Sequence, residues 1–176
     1  MASISEGLVN PENPIFRAWL FYNAILVLKM LAMSVLTAKQ RMTKKASHVD
    51  LKILMVYYYT YFVYYFLKVF ANPEDAKGFK QAKVRFDDED VERVRRAHLN
   101  DLENILVYFL ASYLYIFTNP SAFVAVNLFR VYTLARIVHT LVYAVIPLPQ
   151  PARGFSWGVG YGITIYMGVI SLLNFL

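Results

Sequence analysis

Four polar side chains in the stretch RVRRAHLNDLE could together bind a charged ligand. They are Arg93, Arg96, Asn100 and Glu103. Successive members are three or four residues apart, so they share one face of a helix. Guanidinium groups bind carboxylates through paired hydrogen bonds, and a carboxylate in turn pairs with an ammonium group. The stripe therefore predicts a site for a small anionic or zwitterionic molecule, while His98 is expected on another face, as is Asp101.

A second polar stripe follows further along the chain. Arg136, His139 and Tyr143 recur at i, i+3 and i+7, and Arg130 lies nearer the start of the same segment. Both stripes run into or through apolar sequence. Ionisable groups are costly there unless they face the interior of a helical bundle or a water-filled cavity. Together the stripes favour a polar cavity that holds both cations and hydrogen-bond acceptors.

The same residues also have simpler explanations. Arg96 or Arg136 could form an ion pair with Glu103 that only orients the helices. His139 could be a hydrogen-bonded packing residue, and Lys29 could extend its ammonium group to the membrane surface. The residues alone leave these alternatives open.

The composition predicts the elements that must position these side chains. Of the 176 residues, 58% are hydrophobic and only 17% are charged, and the net charge is +6. Ordinary soluble domains are less apolar and more charged, so an all-α integral membrane protein is expected. Cysteine is absent, which excludes a disulfide framework and a cysteine nucleophile. No metal-ligand spacing, Gly-rich phosphate loop or Ser-His-Asp arrangement is present, and a nucleic-acid partner is not expected.

Five apolar segments interrupt the polar sequence, at 15–36, 53–67, 102–117, 122–146 and 155–176. About 20 residues are needed to span a bilayer as a helix. No Gly or Pro separates the acidic start DDED from the third segment, which predicts one continuous helix from near residue 88 to residue 117. The last segment contains WGVGYG, whose small residues permit close helix packing.

The distribution of basic residues indicates four spans rather than five. Of the 18 Lys and Arg residues, 13 lie within 39–96, none lies within 118–121, and one lies within 147–153. Spans formed by the first, third, fourth and fifth segments place both basic connections on the cytosolic side. A four-transmembrane-helix bundle in a single membrane domain, residues 1–176, is therefore expected.

The segment 46–68 needs a separate explanation. It is rich in Tyr, Phe, Ile, Leu, Met and Lys, and six of the 14 tyrosines of the chain fall within 57–65. A retained short intron, with its AT-rich codons, would have this composition. A fifth span and an aromatic interfacial helix are the alternatives.

Four stretches resemble one known family. VERVRRAHLNDLEN (91–104), VFANPED (69–75), ARIVHTLVY (135–143) and PLPQPARGFSWGVGYG (147–162) are similar to the microsomal glutathione transferases of the MAPEG superfamily. These are membrane enzymes of eicosanoid and glutathione metabolism. The family pattern runs from the equivalent of RMTKK directly into VFANPED, so the resemblance identifies 46–68 as an insertion.

The resemblance implies a function and an assembly. It implies a homotrimer of four-helix subunits that binds glutathione between neighbouring subunits, near the cytosolic face. The thiolate would attack hydrophobic electrophiles that arrive from the membrane lipids, or would reduce lipid hydroperoxides, with no metal. The endoplasmic reticulum membrane and the mitochondrial outer membrane are the implied locations.

The resemblance also implies the roles of individual residues. Arg153 would lie beside the glutathione sulfur and stabilise the thiolate, and Tyr143 would donate a hydrogen bond. The expected glutathione-binding residues are Arg41, Arg95, Arg96, His98, Asn100, Glu103, Arg136 and Tyr143, of which Asn100 and Arg136 support the others.

Two other functions within the superfamily compete with this interpretation. One is a prostaglandin E synthase-like, glutathione-dependent isomerase, which would use the same glutathione site. The other is a non-catalytic, lipid-binding scaffold. The motifs RAHLNDLEN and PLPQP favour the transferase. The complete set of expected glutathione-binding residues argues against the scaffold.

Overall fold

The computed structural model describes residues 7–43, 69–70, 73–78, 83–84 and 88–176. The chain forms two compact units, one comprising Met1–Met33 with Arg96–Leu176 and the other Ser34–Arg95. The segment 46–68, for which an insertion is predicted, lies outside the described residues.

Four long helices dominate the described chain. They are α1 (Pro14–Thr43), α3 (Glu89–Ile116), α4 (Ala122–Thr140) and α5 (Ala152–Asn174). The short helix α2 (Pro73–Lys77) lies between two two-residue strands, β1 (Val69–Phe70) and β2 (Lys83–Val84), which pair in parallel. A single π-helical turn, Leu141–Val145, follows α4 directly. The expected four-helix architecture is confirmed, and α3 is continuous over nearly the whole length predicted for it.

Local hydrogen bonds explain where the helices begin. Asn13 Oδ1 accepts the amide of Ile15 at 2.9 Å, and Asp88 Oδ1 accepts the amide of Val91 at 3.1 Å. Such caps satisfy amides that have no partner within the helix. Asn119 has a φ of 53° in the turn between α3 and α4, a left-handed conformation that Asn tolerates better than most residues. Capping and turn chemistry thus define both ends of α3.

Polar and aromatic contacts join the helices of the larger unit. Trp19 Nε1 on α1 donates to Ser112 Oγ on α3 at 2.9 Å. The ring of Tyr108 on α3 stacks on that of Tyr132 on α4, with centroids 3.5 Å apart. Because Ser112, Tyr108 and Tyr132 are buried, these contacts help to specify how the helices pair.

The outer surface of the helices suits a lipid environment. Large apolar side chains are exposed on each long helix, including Leu28 at 66%, Leu110 at 69%, Phe123 at 80% and Leu172 at 64%. Among the described residues, α1, α4 with its π turn, and α5 are long and apolar enough to cross a membrane. The protein is therefore an all-α integral membrane protein.

Gly160 on α5 permits the close approach of α4. A Cβ atom at this position would lie 3.4 Å from Tyr132 Cε2 and 3.6 Å from Arg136 Cδ, which leaves room for a methyl group and little more. Gly158 on the same helix has no neighbouring atom within 4 Å of such a Cβ. The predicted role of the small residues in WGVGYG is confirmed for Gly160.

Replacement of Gly160 by leucine should lower the free energy of unfolding by about 1–3 kcal/mol, because the side chain overpacks this contact. Gly158→Leu is the matched control and should cause no loss, since leucine also has the higher helix propensity. Titration with a denaturing detergent, followed by circular dichroism, measures both. Equal stability of the two variants would contradict the packing role of Gly160.

Candidate functional site

A cavity of about 340 Å³ opens where α3, the π turn and the start of α5 meet. It is lined by Asn100, His139, Tyr143, Gln150, Arg153, Gly154 and Trp157. Pockets for small ligands usually measure roughly 300–1,000 Å³ and combine apolar walls with a few polar groups. We refer to this cavity as the pocket.

Arg153 and Tyr143 form the centre of the pocket. The guanidinium carbon of Arg153 lies 4.8 Å from the centroid of the Tyr143 ring, within cation–π range. The ring of His139 meets that of Tyr143 edge to face, with centroids 5.4 Å apart. Arg153 Nε is buried and has no hydrogen-bond partner among the described residues. The arrangement therefore holds a cation in a fixed place with one buried donor unused.

Local backbone structure sets the positions of these side chains. Tyr143 lies in the π turn Leu141–Val145, and single π turns are frequent at functional sites because they shift side chains relative to a regular helix. Arg153 lies in the first turn of α5, where Gln150 Oε1 accepts the amide of Gly154 at 3.2 Å. The positive end of the helix dipole is located there, which also favours an anion.

A buried ionic network lies next to the pocket. Arg136 Nη2 donates to Asn100 Oδ1 at 2.9 Å and to Asp101 Oδ1 at 2.5 Å, and Lys29 Nζ donates to Asp101 Oδ2. Asp101 is completely buried, and the side chains of Arg136 and Lys29 are 1% and 9% exposed. We call these four residues the buried network. It joins α1, α3 and α4 and reaches the pocket through Asn100.

Several residues expected at the glutathione site do not line this pocket in the single chain. Arg96 and Glu103 are exposed on α3 and His98 is half-buried, and none of the three forms a hydrogen bond or an ion pair with a described residue. Arg95 is exposed and donates to Glu92 Oε1 at 2.6 Å, and Arg41 lies in the last turn of α1. The structure thus brings together Asn100, Arg136, Tyr143 and Arg153 from the predicted set.

The structure corrects one expectation about the charged residues and decides two of the alternatives. Of the first stripe, Asn100 lines the pocket, whereas Arg96 and Glu103 are exposed and do not face the interior of the subunit. Arg136 pairs with Asp101 and not with Glu103. Lys29 forms a buried ion pair instead of extending to the membrane surface.

The physical reason is that apolar packing sets the inner face of α3. The buried residues Ala97, Ile105 and Tyr108 recur at helical spacing, and Asp101 lies at the same spacing between Ala97 and Ile105. The helical spacing of the apolar residues on α3 is the sequence signal that could have shown that Asp101 is buried. The pocket residues Gln150 and Trp157 were also missed, since neither shares a stripe with a charged neighbour.

The pocket suits an anion whose charge is stabilised by a cation and by hydrogen-bond donors. The fixed guanidinium of Arg153 meets this requirement, and the start of α5 adds positive potential. Such surroundings lower the pKa of a thiol and increase its thiolate fraction. Within the described part of the chain, no cluster of His, Asp and Glu could hold a metal ion.

Comparison with known proteins gives consistent matches over nearly the whole chain. Residues 19–173 match the MAPEG family. The chain is 40% identical over 172 residues to microsomal glutathione S-transferase 1 of Bos taurus, covering 95% of this chain and 93% of that protein. It is 40% identical over 160 residues to the Homo sapiens protein of the same name, with 89% and 88% covered. Prostaglandin E synthase of Equus caballus is 36% identical over 142 residues, with 81% and 77% covered. The matched range contains every residue of the pocket.

Proposed function

Because the chain belongs to the MAPEG family, we propose that it is a membrane-bound glutathione transferase with glutathione as its co-substrate. The similarity to proteins named microsomal glutathione S-transferase 1 is higher, and covers more of both chains, than the similarity to prostaglandin E synthase. The observation that carries the proposal is the pocket itself, in which a positioned guanidinium faces a tyrosine within a membrane helix bundle.

The charges of glutathione fit the residues around the pocket. Glutathione carries carboxylates, an ammonium group and a thiol whose free pKa is about 8.5. Arg153 is proposed to lie beside the sulfur, where a permanent cation stabilises the thiolate and adds no proton of its own. Tyr143 donates a hydrogen bond to the same atom, and Asn100, held by Arg136, binds the peptide.

We assign the exposed residues of the predicted set to a glutathione site that is complete only when subunits assemble. An exposed carboxylate and arginine on the flank of a membrane helix are costly against lipid, which supports a second protein surface there. We assign glutathione binding between subunits of a homotrimer, with Arg96, His98 and Glu103 contributing from this flank. Glu103 then pairs with the ammonium group. Arg41 and Arg95 are assigned to the glutathione carboxylates.

The reaction joins the glutathione sulfur to an electrophilic carbon. With a nitrohaloarene, the thiolate forms the S–C bond, the C–halogen bond breaks, and the halide leaves with the bonding electron pair. Reduction of a lipid hydroperoxide by two glutathione molecules gives the alcohol, water and glutathione disulfide. The electrophiles are hydrophobic and enter from the bilayer. The proposed locations are the endoplasmic reticulum membrane and the mitochondrial outer membrane, with the site facing the cytosol.

Two measurements on the purified chain in detergent test this function. Isothermal titration with glutathione should release heat, and addition of a nitrohaloarene should give the conjugate at a rate that rises with glutathione concentration. S-methylglutathione is the matched control, because it keeps the charged groups but has no free thiol, so it should bind without reacting. Absence of both heat and conjugate would favour a lipid-binding scaffold. Turnover of prostaglandin H well above the rate with nitrohaloarenes would favour the isomerase.

A further inference from the structure

The buried network contains one more cation than anion, which argues against stability as its main role. Lys29 and Arg136 share the single carboxylate of Asp101, and no further carboxylate pairs with either cation in the described chain. Burial of each ion costs several kcal/mol, so buried ion pairs are weak evidence for stability. Their clearest benefit is to fix one arrangement of side chains.

The hydrogen bonds define the orientation of Asn100. A carboxamide offers an acceptor oxygen and a donor NH2 group, whereas a guanidinium offers donors only. Arg136 therefore bonds the oxygen of Asn100, as observed at 2.9 Å. The NH2 group is the end of Asn100 that stays available to the pocket, where it suits a carbonyl or carboxylate oxygen of the ligand.

Lys29 controls whether Arg136 stays shared between two acceptors. Arg136 Nε is buried and has no hydrogen-bond partner among the described residues. A carboxylate with both oxygens free binds a guanidinium through two parallel hydrogen bonds. In this structure the two oxygens of Asp101 are divided between the cations, since Oδ1 accepts from Arg136 and Oδ2 accepts from Lys29. Without Lys29, the network offers Oδ2 only Arg136 as a partner, and we expect the guanidinium to turn so that Nε reaches Oδ2 and Nη2 leaves Asn100.

We propose that Lys29, which does not line the pocket, is a positioning residue for glutathione binding. By occupying one oxygen of Asp101, it keeps Arg136 shared with Asn100 and so fixes the Asn100 amide with its NH2 group toward the ligand. This inference rests on the proposed function, since glutathione is the ligand to which the fixed Asn100 amide would donate a hydrogen bond.

Replacement of Lys29 by methionine tests the proposal. The dissociation constant and KM for glutathione should rise roughly tenfold, as for loss of one well-oriented hydrogen bond to a charged group. The kcat at saturating glutathione should change little, because the residues beside the sulfur are untouched. Lys29→Arg keeps the cation and should restore the affinity. Arg17→Met removes an exposed cation from the same helix and serves as the control.

A double-mutant cycle with Asn100→Ala separates positioning from general structural support. If Lys29 acts through Asn100, Lys29→Met should have no further effect on glutathione affinity in the Asn100→Ala background. Equal effects in both backgrounds would overturn the proposal, as would a Lys29→Met variant that binds like Arg17→Met. If Lys29→Met does not fold, Lys29→Leu, which likewise offers Asp101 no donor, takes its place in the cycle. Loss of folded protein in both variants would also overturn it, since Lys29 would then support the fold rather than the ligand. Failure of the wild type to bind glutathione would instead reject the proposed function.

Discussion

Replacement of Arg153 by leucine should lower the rate of glutathione conjugation by about 100-fold, the usual effect of removing one group that stabilises charge in a transition state. The guanidinium lies 4.8 Å above the Tyr143 ring in the pocket, and leucine retains much of the apolar volume but not the charge. Glutathione affinity should change little, because the thiolate is a small part of the ligand's contact surface. The ultraviolet absorbance of enzyme-bound thiolate should fall with the rate.

Two arginine variants provide the controls for this result. Arg130→Leu removes an exposed arginine on α4 that contacts Tyr22 and Asn127, and it should leave conjugation unchanged. Arg153→Lys keeps the positive charge without the planar guanidinium and should fall between leucine and wild type. Wild-type turnover in Arg153→Leu would reject the assignment of Arg153 to the sulfur.

Replacement of Asp101 by leucine should destabilise the folded protein by about 3–5 kcal/mol, because removal of one partner leaves buried charges without compensation. Lys29 and Arg136 would both lose their only carboxylate in the described chain. Denaturing-detergent titration in micelles, followed by circular dichroism, measures the change in the free energy of unfolding.

An exposed ion pair gives the matched control for Asp101. Glu92 and Arg95 lie one helical turn apart on α3, with side chains 24% and 46% exposed. Glu92→Gln should therefore change the stability by no more than about 1 kcal/mol. The triple variant with apolar residues at Lys29, Asp101 and Arg136 should recover much of the loss, because no unpaired charge remains. An Asp101→Leu protein as stable as Glu92→Gln would show that the network carries no buried charge.

The fold could be predicted from the sequence because its determinants are local. Apolar segment length, the acidic start of α3 and the turn after it predict the four long helices and the bounds of α3, whereas α1 continues to Thr43, well beyond the apolar segment 15–36. Helical spacing also correctly placed His139 and Tyr143 on one side of the bundle. These patterns depend on neighbours within a few residues, which a single sequence shows directly.

The pairing of charges could not be predicted in the same way. Lys29 and Asp101 are 72 positions apart, and spacing within one helix does not say which residue on another helix it meets. The exposed position of Glu103 was missed for a related reason. The polar stripe groups Glu103 with Asn100, whereas the helical spacing of the buried apolar residues of α3 places Asp101 inside. The resemblance of motifs supplied Arg153, which no stripe contains.

The position of Lys29 has a consequence for how the chain enters the membrane during synthesis. It lies near the middle of α1, where a lysine raises the free energy of insertion by about 2.5–3.5 kcal/mol. The ribosome makes α1 before α3, so this cation enters the bilayer ahead of its counter-ion. Of the four long helices described, α3 is the one that length and apolarity do not qualify as a span. We therefore expect Lys29, once inside the bilayer, to attract Asp101 and so to assist the insertion of α3.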